Sequence, residues 1–202
     1  MENAAPTGRP KDQSRDGDLR RAALELVAEI GYDRLTIDAV AARVRAGKAT
    51  VYRRWPSKAE LVVDAFVEEM FGGLVDPDTG DLRDDLVGIS TQIWAADASA
   101  PRAQVMAGLM TAMLASAELR AAVKQASARP ESVFQAAVRR AVERGDIAPP
   151  AQPELIAWVV PSMCMFRLIK TVTAPDRAFC ESLIDRLVMP ALRADRPGKE
   201  TE

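Results

Sequence analysis

The sequence lacks histidine altogether and has few aromatic residues: five Phe, three Trp and two Tyr in 202 positions. Without histidine, the chain has no imidazole metal ligand and no imidazole general base. Its two cysteines, Cys164 and Cys180, do not have metal-ligand spacing and lie in apolar helical patterns, so we expect buried free thiols. Paired carboxylates, a nucleophile–base set and a glycine-rich phosphate loop are also missing. We therefore expect neither an enzyme nor a cofactor or metal site.

Long hydrophobic runs are missing too. In the C-terminal half, the longest uncharged apolar run covers residues 155–166, which is 12 positions, and it contains Pro161. A membrane-spanning helix needs about 20 apolar residues. The N-terminus is polar and resembles no signal peptide, so we expect a soluble, cytoplasmic protein. Alternating strand patterns are absent while Ala, Leu, Val and Arg are abundant, which predicts an all-α fold.

Positive charge is concentrated in one short stretch. Residues 43–58, RVRAGKATVYRRWPSK, contain six basic residues and no acidic one, although the whole chain has a net charge of −2. Residues 1–58 have a net charge of +4 and residues 59–202 a net charge of −6. A basic N-terminal third joined to an acidic remainder predicts that the first part binds a polyanion, and DNA phosphate is the favoured partner. A solvated surface face is the alternative.

Apolar spacing predicts about nine helices. Thr36 is the expected cap of the second helix, Gly47 of the third, and Ser57 with Glu60 of the fourth. Val44, Val51 and Trp55 are expected to face a core, with Thr50, Arg53 and Arg54 facing outward. The predicted helices cover about residues 18–30, 37–44, 48–55, 58–71, 82–97, 102–116, 118–144 with an interruption near Pro130, 153–171 and 176–192.

The stretch LTIDAVAARVRAGKATVYRRWPSKAELV resembles the DNA-binding domain of the TetR family of bacterial transcriptional repressors. The likeness covers about residues 19–66 and depends on Gly31-Tyr32, Leu35-Thr36, Lys48 with Thr50 and Tyr52, and Pro56-Ser57-Lys58. Beyond this stretch only the helical layout and the turn Arg144-Gly145-Asp146 are similar to that family.

The resemblance implies a helix-turn-helix domain at 15–70 and a helical effector-binding and dimerisation domain at 75–195. Residues 1–14, in which Pro, Gly, Asp and Lys dominate, and residues 196–202 are expected to be disordered tails. It implies DNA contacts on the second, third and fourth helices. For Thr36, Tyr52 and Arg54, the alternatives are a helix cap, packing and a solvated charge. The implied contacts are Thr36, Lys48, Ala49, Thr50, Tyr52, Arg53, Arg54 and Lys58.

The chain departs from the family pattern at the turn before the third helix. The family commonly has Gly there, whereas this chain has Arg45, which does not favour positive φ as a glycine does. Arg45 is therefore a candidate phosphate contact, and Gly47 a position where the backbone approaches phosphate. Upstream, Gly8-Arg9-Pro10-Lys11 is interpreted either as an arm that reaches the minor groove or as a flexible tail.

The C-terminal helices carry two further predictions. Met-rich and aromatic residues on nearly all-apolar helices are candidates for an apolar effector pocket, with plain core as the alternative. The resemblance implies dimerisation through the last two helices. The pocket candidates are Trp94, Met106, Met110, Met113, Phe134 and Trp158, and the expected dimer seam comprises Phe166, Ile169, Leu183, Leu187 and Val188.

Together these observations favour a homodimeric repressor that binds a palindromic double-stranded DNA operator and is released by a small apolar effector. The alternative is an effector-independent DNA-binding protein whose C-terminal domain is only a dimerisation scaffold.

Overall fold

A computed structural model describes residues 10–94, 100–127, 132–171 and 173–194 of the chain. Over these residues the secondary structure is entirely helical, which confirms the all-α prediction. A π-helical turn, Ile184–Val188, joins the last two α-helices. The α-helices are α1 (Pro10–Ile30), α2 (Ile37–Arg43), α3 (Lys48–Arg54), α4 (Lys58–Phe71), α5 (Leu82–Trp94), α6 (Ala100–Ala115), α7 (Ala117–Ser127), α8 (Val133–Arg144), α9 (Pro153–Thr171), α10 (Arg177–Leu183) and α11 (Met189–Ala194).

The predicted caps hold the ends of the short helices. The Thr36 hydroxyl accepts a hydrogen bond from the Ala39 N–H, and the Ser57 hydroxyl accepts one from the Glu60 N–H. Gly47 is the N-cap of α3, as predicted. The expected start of the first helix at residue 18 was wrong, because α1 already begins at Pro10. Proline suits this position, since the first residue of a helix has no intrahelical use for its N–H.

The described residues pack as two compact units. The first contains α1 to α4 together with residues 104–127 of α6 and α7. In its core, Leu19 of α1 and Leu61 of α4 are completely buried, and Val105, Leu109 and Leu119 from α6 and α7 belong to the same cluster. The predicted division at 15–70 and 75–195 follows chain order, whereas packing assigns α6 and α7 to the unit of the first four helices.

The second unit contains α5 and α8 to α11. Its helices α5 and α8 are joined by Arg140, whose guanidinium forms ion pairs with Asp76, Asp78 and the fully buried Asp85. Asp85 also accepts hydrogen bonds from the backbone N–H and the hydroxyl of Thr79, each at 2.7 Å. Burial of a carboxylate is tolerated here because each of its oxygens has a donor.

Two further predictions concern apolar segments. Cys164 on α9 and Cys180 on α10 are free thiols and completely buried, as expected.

No single described helix is long and apolar enough to cross a membrane. A sharply bent pair of segments, 104–115 and 117–126, meets the requirement by length and composition only.

Candidate nucleic-acid interface

The short helix α3 has one buried face and one exposed face. Val51 and Trp55 are buried in the first unit, while Lys48, Ala49, Tyr52 and Arg53 are exposed. An α-helix with its side chains is about 10–12 Å across, and the major groove of B-DNA, about 12 Å wide, admits one. The exposed face of α3 therefore has the size and the positive charge of an element that enters the major groove.

Trp55, directly after α3, holds the C-terminal end of this helix against the unit. Its indole N–H donates to Asp64 Oδ2 at 3.0 Å, and the same oxygen accepts from Arg20 Nε at 2.9 Å. The Arg20 guanidinium lies over the Trp55 ring, 5.9 Å from its centroid. Because Arg20 belongs to α1 and Asp64 to α4, this cluster fixes the orientation of α3 relative to both helices.

The turn between α2 and α3 has the geometry that the family usually obtains with glycine. Arg45 adopts φ of +53°, and Gly145, at the end of α8, adopts φ of +80° in the same kind of turn. After α2, Arg45 N–H donates to Ala42 O and Ala46 N–H donates to Ala41 O, which is the Schellman pattern. The turn is thus regular in spite of Arg45, but a non-glycine residue in this region is strained by about 1–3 kcal/mol.

Lys48 is the first residue of α3 and has an acidic partner on the neighbouring helix. Its ammonium donates to Asp38 Oδ2 in the first turn of α2, where Thr36 is the exposed cap. This hydrogen bond raises the pKa of Lys48, because Asp38 stabilises the charged form. Sequence reasoning had missed Asp38, because a carboxylate ten positions before a lysine gives no periodic signal.

Two predicted contacts point into the unit rather than away from it. Arg54 is half-buried and forms an ion pair with Asp16 of α1, so the expectation that it faces outward was wrong. Lys58 is also half-buried, and its ammonium donates to the carbonyls of Tyr32 at 3.0 Å and Asp33 at 3.1 Å. Arg54 connects α3 to α1 and Lys58 connects α4 to the turn after α1, so any DNA contact would have to use their remaining donors.

The remaining predicted contacts lie at the surface or close to it. Thr36, Gly47, Ala49, Tyr52 and Arg53 are exposed, and so is Arg45. Thr50 was expected to face outward, but its side chain is half-buried. No ion pair is seen for Arg45 or Arg53 within the described part of the chain, so both guanidinium groups are available to a polyanion.

The predicted pocket residues are distributed over both units. Met106 is buried in the first unit, Met113 packs partly against its core, and Met110 is exposed. In the second unit Trp94 is buried, and Trp158 is 67% exposed. Phe134, also in the second unit, lines an apolar hollow of about 320 Å³. The other residues that line this hollow are Gln135, Val138, Arg139, Val142, Pro149, Pro150, Pro153, Ile156 and Leu192.

The predicted dimer seam also separates into two groups. Phe166, Ile169 and Leu187 are exposed, at 62%, 44% and 46%. Leu183 and Val188 are buried in the core of their own chain, so these two cannot face a partner. Helix α9 exposes further large apolar side chains, which we group as the α9 apolar face: Leu155, Trp158, Met163, Phe166 and Ile169.

Comparison with known proteins relates both parts of the chain to one family. A model of "Bacterial regulatory proteins, tetR family" matches residues 19–65, and a model of "Tetracyclin repressor-like, C-terminal domain" matches residues 76–187. An uncharacterized HTH-type transcriptional regulator of Mycobacterium tuberculosis strain H37Rv is 37% identical over 188 residues, which are 91% of this chain and 93% of the relative. The DNA-binding transcriptional repressor TetR of Mycobacteroides abscessus is 34% identical over 192 residues, covering 91% and 96%.

Solved structures show the same architecture. The crystal structure of a TetR family transcription regulator matches with a TM-score of 0.67 and 26% identity, covering 89% of this chain and 97% of the other. A transcriptional regulator from Rhodococcus sp. Rha1 matches with a TM-score of 0.58 and 19% identity, covering 89% and 96%; this second likeness shows the fold alone.

Proposed function

Because the chain belongs to the TetR family of DNA-binding transcriptional regulators, we propose that it is a repressor that binds a palindromic operator as a homodimer. The main support is the exposed face of α3, which presents Lys48, Tyr52 and Arg53 beside the capped N-terminus of α2. Such an arrangement lets α3 enter the major groove while the start of α2 contacts the backbone. Since its partner is bacterial DNA, the proposed place of action is the cytoplasm.

The α9 apolar face supports a dimer. Leu155, Trp158, Phe166 and Ile169 recur at spacings of three, eight and three residues, so they form one stripe along the helix. Exposed apolar stripes of this size are typical of interaction surfaces. A second copy of the chain is the proposed occupant, because a two-fold axis would pair the stripe with itself. Trp158 then belongs to this seam instead of to the pocket.

The hollow lined by Phe134 supports a small apolar effector. Its volume of about 320 Å³ lies within the range of ligand pockets, and most of its lining residues are aliphatic, aromatic or proline. The polar side chains at its wall already have partners: Gln135 accepts from the Ser132 N–H, and Arg139 pairs with Glu143. Effector binding is proposed to favour a spacing of the two α3 helices that no longer fits adjacent groove turns. Trp94, Met106, Met110 and Met113 stay predictions for the pocket.

The operator proposal is tested by selecting bound fragments from random duplex DNA with the full chain. We expect a palindrome with half-site centres about 34–36 Å apart or a multiple of that. Light scattering should give about twice the monomer mass of 21.9 kDa. A protein that stays monomeric at micromolar concentration and still binds one non-palindromic site tightly would contradict the dimer.

The effector proposal needs a separate experiment. Thermal-shift screening of apolar compounds should find ligands that raise the melting temperature, and those ligands should release the selected operator. Val138→Trp, which fills the hollow, should abolish both effects. Release that persists unchanged in this variant would place the effector elsewhere, and a failure of every bound compound to release DNA would favour the scaffold alternative.

A further inference from the structure

An acidic residue lies on the face that we propose for DNA. Asp38 is 46% exposed and accepts a hydrogen bond from Lys48, which is 64% exposed at the start of α3. A carboxylate at such a place repels DNA phosphates, and it opposes the positive charge that characterises residues 43–58. Its presence therefore calls for a physical reason.

Fold stability gives only a weak reason. Exposed ion pairs contribute about 0–1 kcal/mol to folding, and an acidic residue in the first turn of a helix contributes about 0.3–1 kcal/mol through the helix dipole. Any exposed carboxylate in the first turn of α2 would supply the second term. Neither the ion-pair contribution nor the helix-dipole contribution requires that the partner of Asp38 lie on the helix that enters the groove.

The geometry of Lys48 offers a stronger reason. A lysine ammonium is a compact charge on a flexible stem, and without a fixed partner it can reach the nearest phosphate, which carries no sequence information. An ammonium has three donors, and Asp38 uses one of them. The other two remain for acceptors beyond the N-terminal end of α3, where recognition helices approach base edges.

The other cations of this region differ from Lys48. Arg54 and Lys58 are bound inside the unit, and no ion pair is seen for Arg45 or Arg53 among the described residues. Arg43 is held by Glu29 of α1, but it lies at the end of α2 and not on the recognition helix. Among these cations, Lys48 alone lies exposed on α3 with an acidic partner that is itself exposed.

We propose that Asp38 is a specificity-determining residue: it positions Lys48 so that the ammonium reads acceptor atoms on a base edge instead of binding a backbone phosphate. Guanine O6 and N7 are the acceptors that a lysine reads most often in the major groove. The inference rests on the proposed function, because it requires that α3 enters the major groove.

The first experiment compares Asp38→Asn with the natural chain on the selected operator and on random duplex DNA, over a series of salt concentrations. Freed from Asp38, Lys48 should bind phosphate. Affinity for random DNA should then rise about tenfold while operator affinity changes less than threefold, and the salt slope on random DNA should steepen by about 1.8 for a dimer. Asp33→Asn is the matched control, since it removes the same charge from an exposed position in the turn before α2. It should change both affinities equally.

A double-mutant cycle decides whether Asp38 acts through Lys48. In a Lys48→Met background, Asp38→Asn should no longer alter the ratio of operator to random affinity. A change of the same size in that background would show that the Asp38 charge acts on DNA directly and would overturn the inference. So would a loss of melting temperature in Asp38→Asn with an unchanged affinity ratio, because that result assigns Asp38 to helix capping alone.

The cycle also separates this inference from the proposed function. If Lys48→Met binds operator and random DNA as well as the natural chain does, α3 does not contact DNA through Lys48, and the proposed interface fails together with the inference. If Lys48→Met loses operator affinity but Asp38→Asn leaves the ratio unchanged, the interface stands and the role of Asp38 fails alone. Asp38→Glu should retain most of the natural ratio.

Discussion

Arg45 combines backbone strain with a free charge at the turn before α3. Its φ of +53° is unfavourable for a side chain with a Cβ, and its guanidinium is exposed. We expect Arg45→Gly to raise the free energy of unfolding by about 1 kcal/mol, because glycine adopts this region without strain. Loss of a phosphate contact should lower the salt slope of DNA binding by about 1.8 for a dimer, equally for operator and random DNA.

Chemical denaturation and salt-dependent binding measure these two effects separately. Gly47→Ser is the companion variant, because φ of −71° suits serine and a Cβ there would meet only Thr50 Oγ1, at 3.8 Å. Its stability should change by no more than a few tenths of a kcal/mol. An Arg45→Gly protein that is less stable and keeps its salt slope would mean that Arg45 packs in the turn and does not touch DNA.

Single residues show where sequence patterns lose their information. The cap at Thr36 and the buried Val51 and Trp55 follow from periodicity and local hydrogen bonding, and all three were predicted. Arg54 was expected to face outward, but its ion pair with Asp16 depends on a residue 38 positions away. Tertiary partners of this kind leave no mark in a local pattern.

Helix α9 presents an apolar face that the described residues of its own chain leave exposed. We expect Phe166→Asp to convert the dimer into a monomer, because the apolar seam would have to desolvate a carboxylate, and an ion pair with the neighbouring Lys170 would not recover that cost. Operator affinity should fall at least tenfold, since two linked half-site contacts become one. Light scattering and operator titration measure both changes.

Leu114→Asp is the matched control for this variant. Leu114 lies on α6, outside the α9 apolar face, and is 86% exposed. The Leu114→Asp variant should keep the dimer mass in light scattering and the operator affinity of the natural chain. A Phe166→Asp protein that remains a dimer would remove α9 from the seam.

The last helices explain why two of the five predicted seam residues are buried. Hydrophobic spacing predicted one regular helix over about residues 176–192, but the structure has a π-helical turn at Ile184–Val188 within it, where 3.6-residue periodicity does not hold. Leu183, just before this turn, and Val188, at its end, are buried, while Leu187 inside it is exposed. Periodicity predicts that apolar residues are covered, but it does not distinguish a chain's own core from a partner.

The Arg140 cluster connects α5 and α8 through charge. Replacing Asp85 with alanine should lower the free energy of unfolding by about 3 kcal/mol, because Thr79 loses both hydrogen bonds and Arg140 loses a buried partner. Asp84→Ala is the control, since Asp84 is exposed beside Arg83. Urea denaturation at neutral pH compares the two variants, and equal losses would contradict a special role for Asp85.

The same cluster predicts a dependence on pH. The hydrogen bond from Arg140 lowers the pKa of Asp76 below its ordinary value of 3.8. The resulting stabilisation is fully present above pH 3.8 and is lost as the pH falls through the lower, folded pKa. The stability difference between the natural chain and Arg140→Gln should therefore be constant near neutral pH and become smaller in strong acid.

The first unit as a whole is built from two separate parts of the chain. Val105 and Leu109 of α6 and Leu119 of α7 complete a core that α1 and α4 begin. A fragment of residues 1–72 would expose the apolar surface that these side chains cover. We expect the fragment to unfold without the cooperative transition of the full chain in calorimetry, and a sharp transition at the same temperature would contradict this.

This division has a consequence for synthesis of the protein on the ribosome. The helices of residues 1–72 leave the exit tunnel first, but their core stays incomplete until α7, which ends at Ser127, has followed. At 5–20 residues per second, the 55 or so intervening residues take roughly 3 to 11 s to translate. During that interval the first four helices carry an apolar surface that α6 and α7 have not yet covered.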